Sequence, residues 1–112
     1  MDTLKQLTQK INQFRDDRNW RQFHNEKDLA LSVVLEAAEL LENFQWKEAS
    51  EAVNANLENI KDELADVMIY CMMISDNLDL DVAKIIEAKI EKNALKYPIQ
   101  ESKGRSDKYN KL

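Results

Sequence analysis

The chain has 112 residues, 44% of them hydrophobic and 33% charged, a size and balance that fit one soluble globular domain and exclude a disordered polyelectrolyte. Its formal net charge of −5 excludes general affinity for nucleic acid or anionic membrane, because counterion release needs clustered Lys and Arg. No apolar run approaches the ~20 residues a bilayer requires, and the start, Met1-Asp-Thr-Leu-Lys-Gln6, lacks a secretory signal's apolar core.

In chain order, Leu4, Leu7, Ile11 and Phe14 recur at helical spacing, with Thr3 or Asp2 as a cap, and predict a first helix ending near Arg18. Asn19 to Asp28 reads as a connection. From about Leu29 to Trp46 the row Val33, Ala37, Leu40, Leu41 and Phe44 predicts a second helix, which Asn25 or Asp28 can cap. Lys47 to Asn56 reads as a polar loop. Leu57, Ile60, Leu64, Val67, Met68, Cys71 and Met72 predict a third helix running to Leu78, and Asp79 and Asp81 stop it and start the next. Val82, Ile85, Ile86 and Ile90 form the stripe of the fourth helix, which Tyr97-Pro98 ends because the residue before proline avoids helical dihedrals. Residues 98–112 read as an extended basic arm, since Lys92, Lys96, Lys103, Arg105, Lys108 and Lys111 outnumber Glu101 and Asp107 towards the end of the chain. Such a tail suits a local anion contact.

The only glycine and the only proline are Gly104 and Pro98, so nothing earlier carries the punctuation of a β protein. The expectation is an all-α, four-helix bundle-like domain spanning residues 1–112. Its second and third helices are apolar on most of their circumference, which points to a homo-oligomer, a dimer of dimers, in which another copy covers part of them. Cys71, the single cysteine, lies in the apolar run Val67 to Ile74 and reads as a reduced core residue, in keeping with a cytoplasmic setting.

Four carboxylates stand out against this pattern. Glu36 and Glu39 interrupt the apolar stretch of the second helix, while Glu63 and Asp66 head the equally apolar run of the third. Each pair is spaced i, i+3, so both side chains leave the helix on one face. If the two helices pack antiparallel, as a short connection favours, the pairs face each other, and unpaired anions there must take up protons or be neutralised by cations. For any single acidic residue a solvated surface charge is the commoner explanation. Two such pairs on consecutive apolar helices favour metal instead. All-oxygen ligation suits a hard cation, Mg²⁺ with Mn²⁺ as a substitute, and the sole histidine, His24, lies in neither pair, which disfavours a di-iron centre.

These residues resemble the MazG-type all-α nucleotide pyrophosphohydrolases, whose signature of Glu-x-x-Glu on one helix and Glu-x-x-Asp on the next reads here as Glu36-Ala-Ala-Glu39 and Glu63-Leu-Ala-Asp66. The flanks Asn19-Trp-Arg-Gln-Phe-His24, Phe44-Gln-Trp46, Lys92-Asn-Ala-Leu-Lys-Tyr-Pro98 and Lys103-Gly-Arg-Ser-Asp-Lys-Tyr109 match the dCTP-pyrophosphatase-like branch. The resemblance implies Mg²⁺-dependent hydrolysis of a nucleoside triphosphate, dCTP being one such substrate, to the monophosphate and pyrophosphate. It makes Glu36, Glu39, Glu63 and Asp66 the metal ligands, with Glu39 also orienting the attacking water. It further implies that Trp20, Phe23, His24 and Trp46 line a nucleoside pocket and that Tyr70 and Asn93 contact sugar or phosphate. Lys96 shares a face of the fourth helix with Lys89 and Asn93 and can add a phosphate contact. The chain departs from the cytidine-handling pattern in having Ile11 where those members carry a histidine, and it has Asp79 where relatives commonly show glycine. The alternatives are a helical interaction or regulatory protein without enzymatic activity, and a related pyrophosphatase acting on dUTP or phosphoribosyl-ATP.

Overall fold

The structure is a computed structural model that describes residues 3–106. Its elements are α1 (Thr3–Asp17), a single 3-10 turn (Arg21–Phe23), α2 (Glu26–Glu42), α3 (Ala49–Asn77), α4 (Val82–Lys96) and the short α5 (Ile99–Ser102). The chain divides into two compact units, Met1–Leu80 and Asp81–Leu112.

In the first unit the helix ends follow local chemistry. Asn25 caps α2 from an extended conformation, its side chain accepting from the Asp28 amide at 2.9 Å, which satisfies one of the orphan donors of the first turn. The exits of α1 and α3 are built alike. The Trp20 amide donates to the Arg15 carbonyl and the Asn19 amide to that of Asp16, as the Leu80 amide does to Ser75 and that of Asp79 to Asp76. Both are Schellman closures, in which the residue after the cap turns left-handed: Asn19 has φ 53° and Asp79 φ 55°. Asparagine and aspartate tolerate that region better than other residues with a Cβ, which is how Asp79 fills a position where glycine is common.

α2 and α3 form an antiparallel hairpin, in which Asn43 meets Asn59 and Glu36 meets Glu63. Its closed end is stitched by Asn43, only 7% exposed. Its amide donates to the carbonyls of Glu39 and Leu40, its carbonyl accepts from the Asn56 side chain at 2.9 Å, and its Oδ1 accepts from Asn59 at 2.9 Å. The loop expected over residues 47–56 is a correction: α3 already begins at Ala49. Ala49 to Ala55 is rich in good helix formers, and Ala52, 0% exposed, packs into the hairpin. The expected boundary survives as a kink at Asn56, with φ −122° and ψ 20°.

Leu29 and Met73 are buried with Ala52. Leu31, Val34, Leu35 and Leu41 on α2, and Leu57, Leu64 and Met68 on α3, are by contrast exposed. Cys71, expected in the core, is exposed as well and continues the α3 row at i+3 from Met68, because periodicity marks an apolar face without saying what covers it.

In the second unit Asp81 caps α4 by accepting from the Lys84 amide at 3.1 Å, and the helix ends at Tyr97 as expected. The arm expected to be extended carries one helical turn instead, Ile99–Ser102, because Pro98 stands as its cap and the amides of Glu101 and Ser102 donate to the Pro98 carbonyl. Asp107 to Tyr109, part of the last matching flank, and Lys108 and Lys111 lie outside the described residues.

Candidate functional site

The hairpin brings three of the four predicted carboxylates together. Glu36, Glu39 and Glu63 each offer an oxygen, and these oxygens lie within 4.8 Å of one another. One Oε of Glu36 and one of Glu63 are buried with no hydrogen-bond partner, an arrangement that native proteins seldom leave uncompensated. Burial first, then the neighbouring carboxyls of Glu63 and Glu39 and the charges of Glu39 and Asp66, push the Glu36 carboxyl up from 4.5 to about 7. Glu63 is raised by the same burial, with Glu39 and Asp66 adding to it. An oxygen-only donor set with two buried, unpartnered carboxylate oxygens fits a hard divalent cation. Asp66 stands outside the close triad, yet its charge bears on both Glu36 and Glu63.

Asp66 also belongs to a cavity of about 400 Å³, lined by Lys10, Ile11, Phe14, Trp20, His24, Asp66, Ile69, Tyr70 and Met73. Asp66, Ile69, Tyr70 and Met73 follow one another at i, i+3, i+4 and i+7, so a single face of α3 supplies one wall. The Tyr70 hydroxyl titrates above its ordinary value through burial and then the charges of Glu36, Asp66 and Glu39. That ties the cavity electrostatically to the carboxylates. On the opposite side Trp20 meets Phe14 edge-on, with ring centroids 5.6 Å apart, and His24 at 6.3 Å. The Arg18 guanidinium covers the Phe14 ring at 3.7 Å. His24 is held below its usual pKa by burial and then by the Arg15 and Arg21 charges, so its ring is neutral at neutral pH, and its Nδ1 is buried without a partner.

Of the residues expected around a nucleoside, Trp20, His24 and Tyr70 line this cavity. Phe23 and Trp46 do not: they are 63% and 96% exposed, and Trp46 holds φ 64°, a strained conformation for a bulky residue. Asn93 and Lys96 lie on α4 in the second unit. Lys10, Phe14, Ile69 and Met73 line the cavity as well, beyond the residues expected there. Ile69 and Met73 were available from the helical face already marked by Asp66 and Tyr70, whereas Lys10 and Phe14 depend on where α1 meets α3. Ile11, noted for standing in place of a histidine, does line the cavity.

Comparison with known proteins agrees with this geometry. Residues 31–112 match the model of the MazG-like family. The rat dCTP pyrophosphatase 1 is 31% identical over 115 residues, covering 98% of this chain and 68% of its own, and the human protein of that name is 30% identical with the same coverage. A crystal structure of a pyrophosphatase from Archaeoglobus fulgidus superposes with a TM-score of 0.82 at 35% identity, covering 88% of this chain and 94% of that one. With the paired carboxylates on two packed helices and likeness along nearly the whole sequence, the chain belongs to the MazG-like family.

Proposed function

We propose that this protein is a nucleoside triphosphate pyrophosphohydrolase that releases pyrophosphate from a deoxynucleoside triphosphate such as dCTP, with Mg²⁺ as the metal and Mn²⁺ as a substitute. The observation that carries the reading is the pair of buried, unpartnered carboxylate oxygens on Glu36 and Glu63, which belong to a site electrostatically coupled to an aromatic-walled cavity. Glu36, Glu39, Glu63 and Asp66 hold the cation. When bound, such a cation would supply charge neutralisation for the triphosphate and activation of the attacking water. Glu39, the exposed member of the triad, orients that water towards phosphorus. Trp20 stacks on the base, His24 offers the base edge a hydrogen bond through its neutral ring, and Tyr70 faces the sugar or the first phosphate. On the likeness to the family alone, Phe23 and Trp46 are kept as nucleoside contacts and Asn93 and Lys96 as phosphate contacts.

The dCTP pyrophosphatases among the relatives support the triphosphate class. The exposed apolar rows of α2 and α3 support a homo-oligomer, which we take to be a dimer of dimers; a cytoplasmic setting and residues 1–112 working as one domain are carried with it from the sequence alone. Incubating the purified protein with Mg²⁺ and a panel of triphosphates, dUTP and phosphoribosyl-ATP among them, tests the proposal. The expected products are monophosphate and pyrophosphate, from a particle heavier than the 13.1 kDa of one chain by light scattering. Release of orthophosphate, or a monomeric particle, would refute the corresponding half.

A further inference from the structure

Two cavity residues, Trp20 and His24, stand on the connection between α1 and α2, which has only one short helical turn of its own. Its other backbone hydrogen bonds are local: the Trp20 amide reaches back to Arg15, that of Phe23 to Trp20 and that of His24 to Arg21. The tie from α3 to the backbone of this connection is made by Asn77, whose side-chain amide donates to the His24 carbonyl at 2.6 Å. The Asn77 oxygen accepts from Arg15 Nη1 at 3.3 Å. Arg15 is 0% exposed, and its other terminal nitrogen donates to Asn12 at 2.8 Å and Asp76 at 3.2 Å. Asp76 in turn pairs with Arg21 of the connection at 3.4 Å.

We propose that Asn77, oriented by Arg15, is a positioning residue for nucleobase recognition, anchoring the His24 backbone and so fixing the Trp20–His24 wall of the cavity. The inference rests on the reading of that cavity as the nucleoside site. The direction of the amide follows from the partners. A guanidinium has only donors, so the Asn77 oxygen must face Arg15, and a carbonyl only accepts, so the NH₂ must face His24. Asparagine alone among residues of its size meets both. Aspartate would satisfy Arg15 more strongly and set a carboxylate against the His24 carbonyl.

Asn77 stands 11 residues beyond Asp66 on α3, roughly 16 Å along the helix axis at 1.5 Å per residue. Loosening the wall therefore weakens binding of the base without disturbing the carboxylates, and interactions lost equally from ground and transition states raise KM and leave kcat alone. For Asn77→Asp and Asn77→Ala in the full-length protein with Mg²⁺, we expect KM for the best triphosphate of the panel to rise about tenfold, with kcat within about twofold of wild type. Calorimetric titration with the matching deoxynucleoside monophosphate should show about the same tenfold loss of affinity.

Asn77→Asp separates positioning from stability, because its strengthened pair with Arg15 keeps the thermal midpoint at or above that of wild type while the wall is released. It also decides the matter if Asn77→Ala does not fold. A wild-type KM and monophosphate affinity in Asn77→Asp overturn the proposal, as does a fall in kcat at unchanged KM. If the wild-type protein turns over no triphosphate, the pyrophosphohydrolase reading has failed on its own. The monophosphate titration then still decides: weaker binding by Asn77→Asp supports positioning, and equal binding, or none by wild type, overturns it.

Discussion

Around Arg15 a buried guanidinium meets Asn12 at 2.8 Å, Asp76 at 3.2 Å and Asn77 at 3.3 Å, while around Glu36 and Glu63 two buried carboxylate oxygens meet no donor at all. Both clusters sit between helices of the same unit, and both remove charge from water, which is costly unless the charge is compensated. The first is compensated at its two terminal nitrogens, by an opposite charge and oriented amides, with only Nε left without a partner. The second gathers like charges, so its compensation has to come from a proton or from a bound cation. That difference separates a polar cluster compensated by its own neighbours from one that needs a proton or a cation, and burial alone does not reveal it.

The contrast is broken most sharply by neutralising one member of each cluster. At the carboxylates, Glu36→Gln, Glu63→Gln and Asp66→Asn are expected to lower pyrophosphate release about 100-fold or more, the equivalent of a few kcal/mol of charge stabilisation. The same variants should leave the metal-free protein as stable as wild type or more so, because repulsion is relieved. Steady-state turnover and thermal melts with and without Mg²⁺ check this, and near-normal turnover in all three would return these residues to ordinary surface charges.

At the other cluster the sign reverses. Arg15→Met keeps the length of the side chain and removes its donors, leaving Asp76 and Asn77 short of partners. We expect a loss of about 2–3 kcal/mol of stability, in the range for hydrogen bonds to charged groups rather than for a fully buried ion pair, since Asp76 retains access to water. Urea unfolding measures it, and an unchanged midpoint would mean that the network contributes nothing net.

The smallest expected effect is a slope against pH. The Glu36 carboxyl titrates at about 7 in the folded chain against 4.5 as its ordinary value, so the folded state holds more protons than the unfolded one between those values. Stability of the metal-free protein therefore falls as pH rises through that window. His24 acts oppositely, because its depressed pKa removes stability as pH falls below 6.5. Between pH 6.5 and about pH 8 the two effects oppose each other, so melts at both values are compared in a His24→Gln background, which removes the imidazole from the measurement. A lower midpoint at the higher pH is expected, and saturating Mg²⁺ should flatten the difference. A flat profile in the metal-free protein would show that the carboxyls are not crowded in solution.

How the sequence relates to these clusters differs just as much. The four long helices, the Asp81 cap, the choice of Asn25 or Asp28 to cap α2 and the stop at Tyr97-Pro98 are local matters of side-chain spacing and backbone chemistry, and they were legible before any coordinates. So were the i, i+3 carboxylate pairs and the likeness to the MazG-type enzymes, because one helix face is written in one stretch of chain. Hidden from periodicity were the early start of α3 at Ala49, which packing of Ala52 decides, and the exposure of Cys71, which depends on what lies opposite an apolar row. Arg15 read as one more charge on an amphipathic helix, yet it is the most enclosed charged residue described, because Asp76 and Asn77, 61 and 62 residues further on, are folded against it. The raised Glu36 carboxyl and the cavity wall formed by Trp20 and His24 have the same origin. Residue type and spacing along a helix are local properties fixed by the sequence, whereas desolvation, charge proximity and cavity walls arise between elements and exist only once those elements have packed.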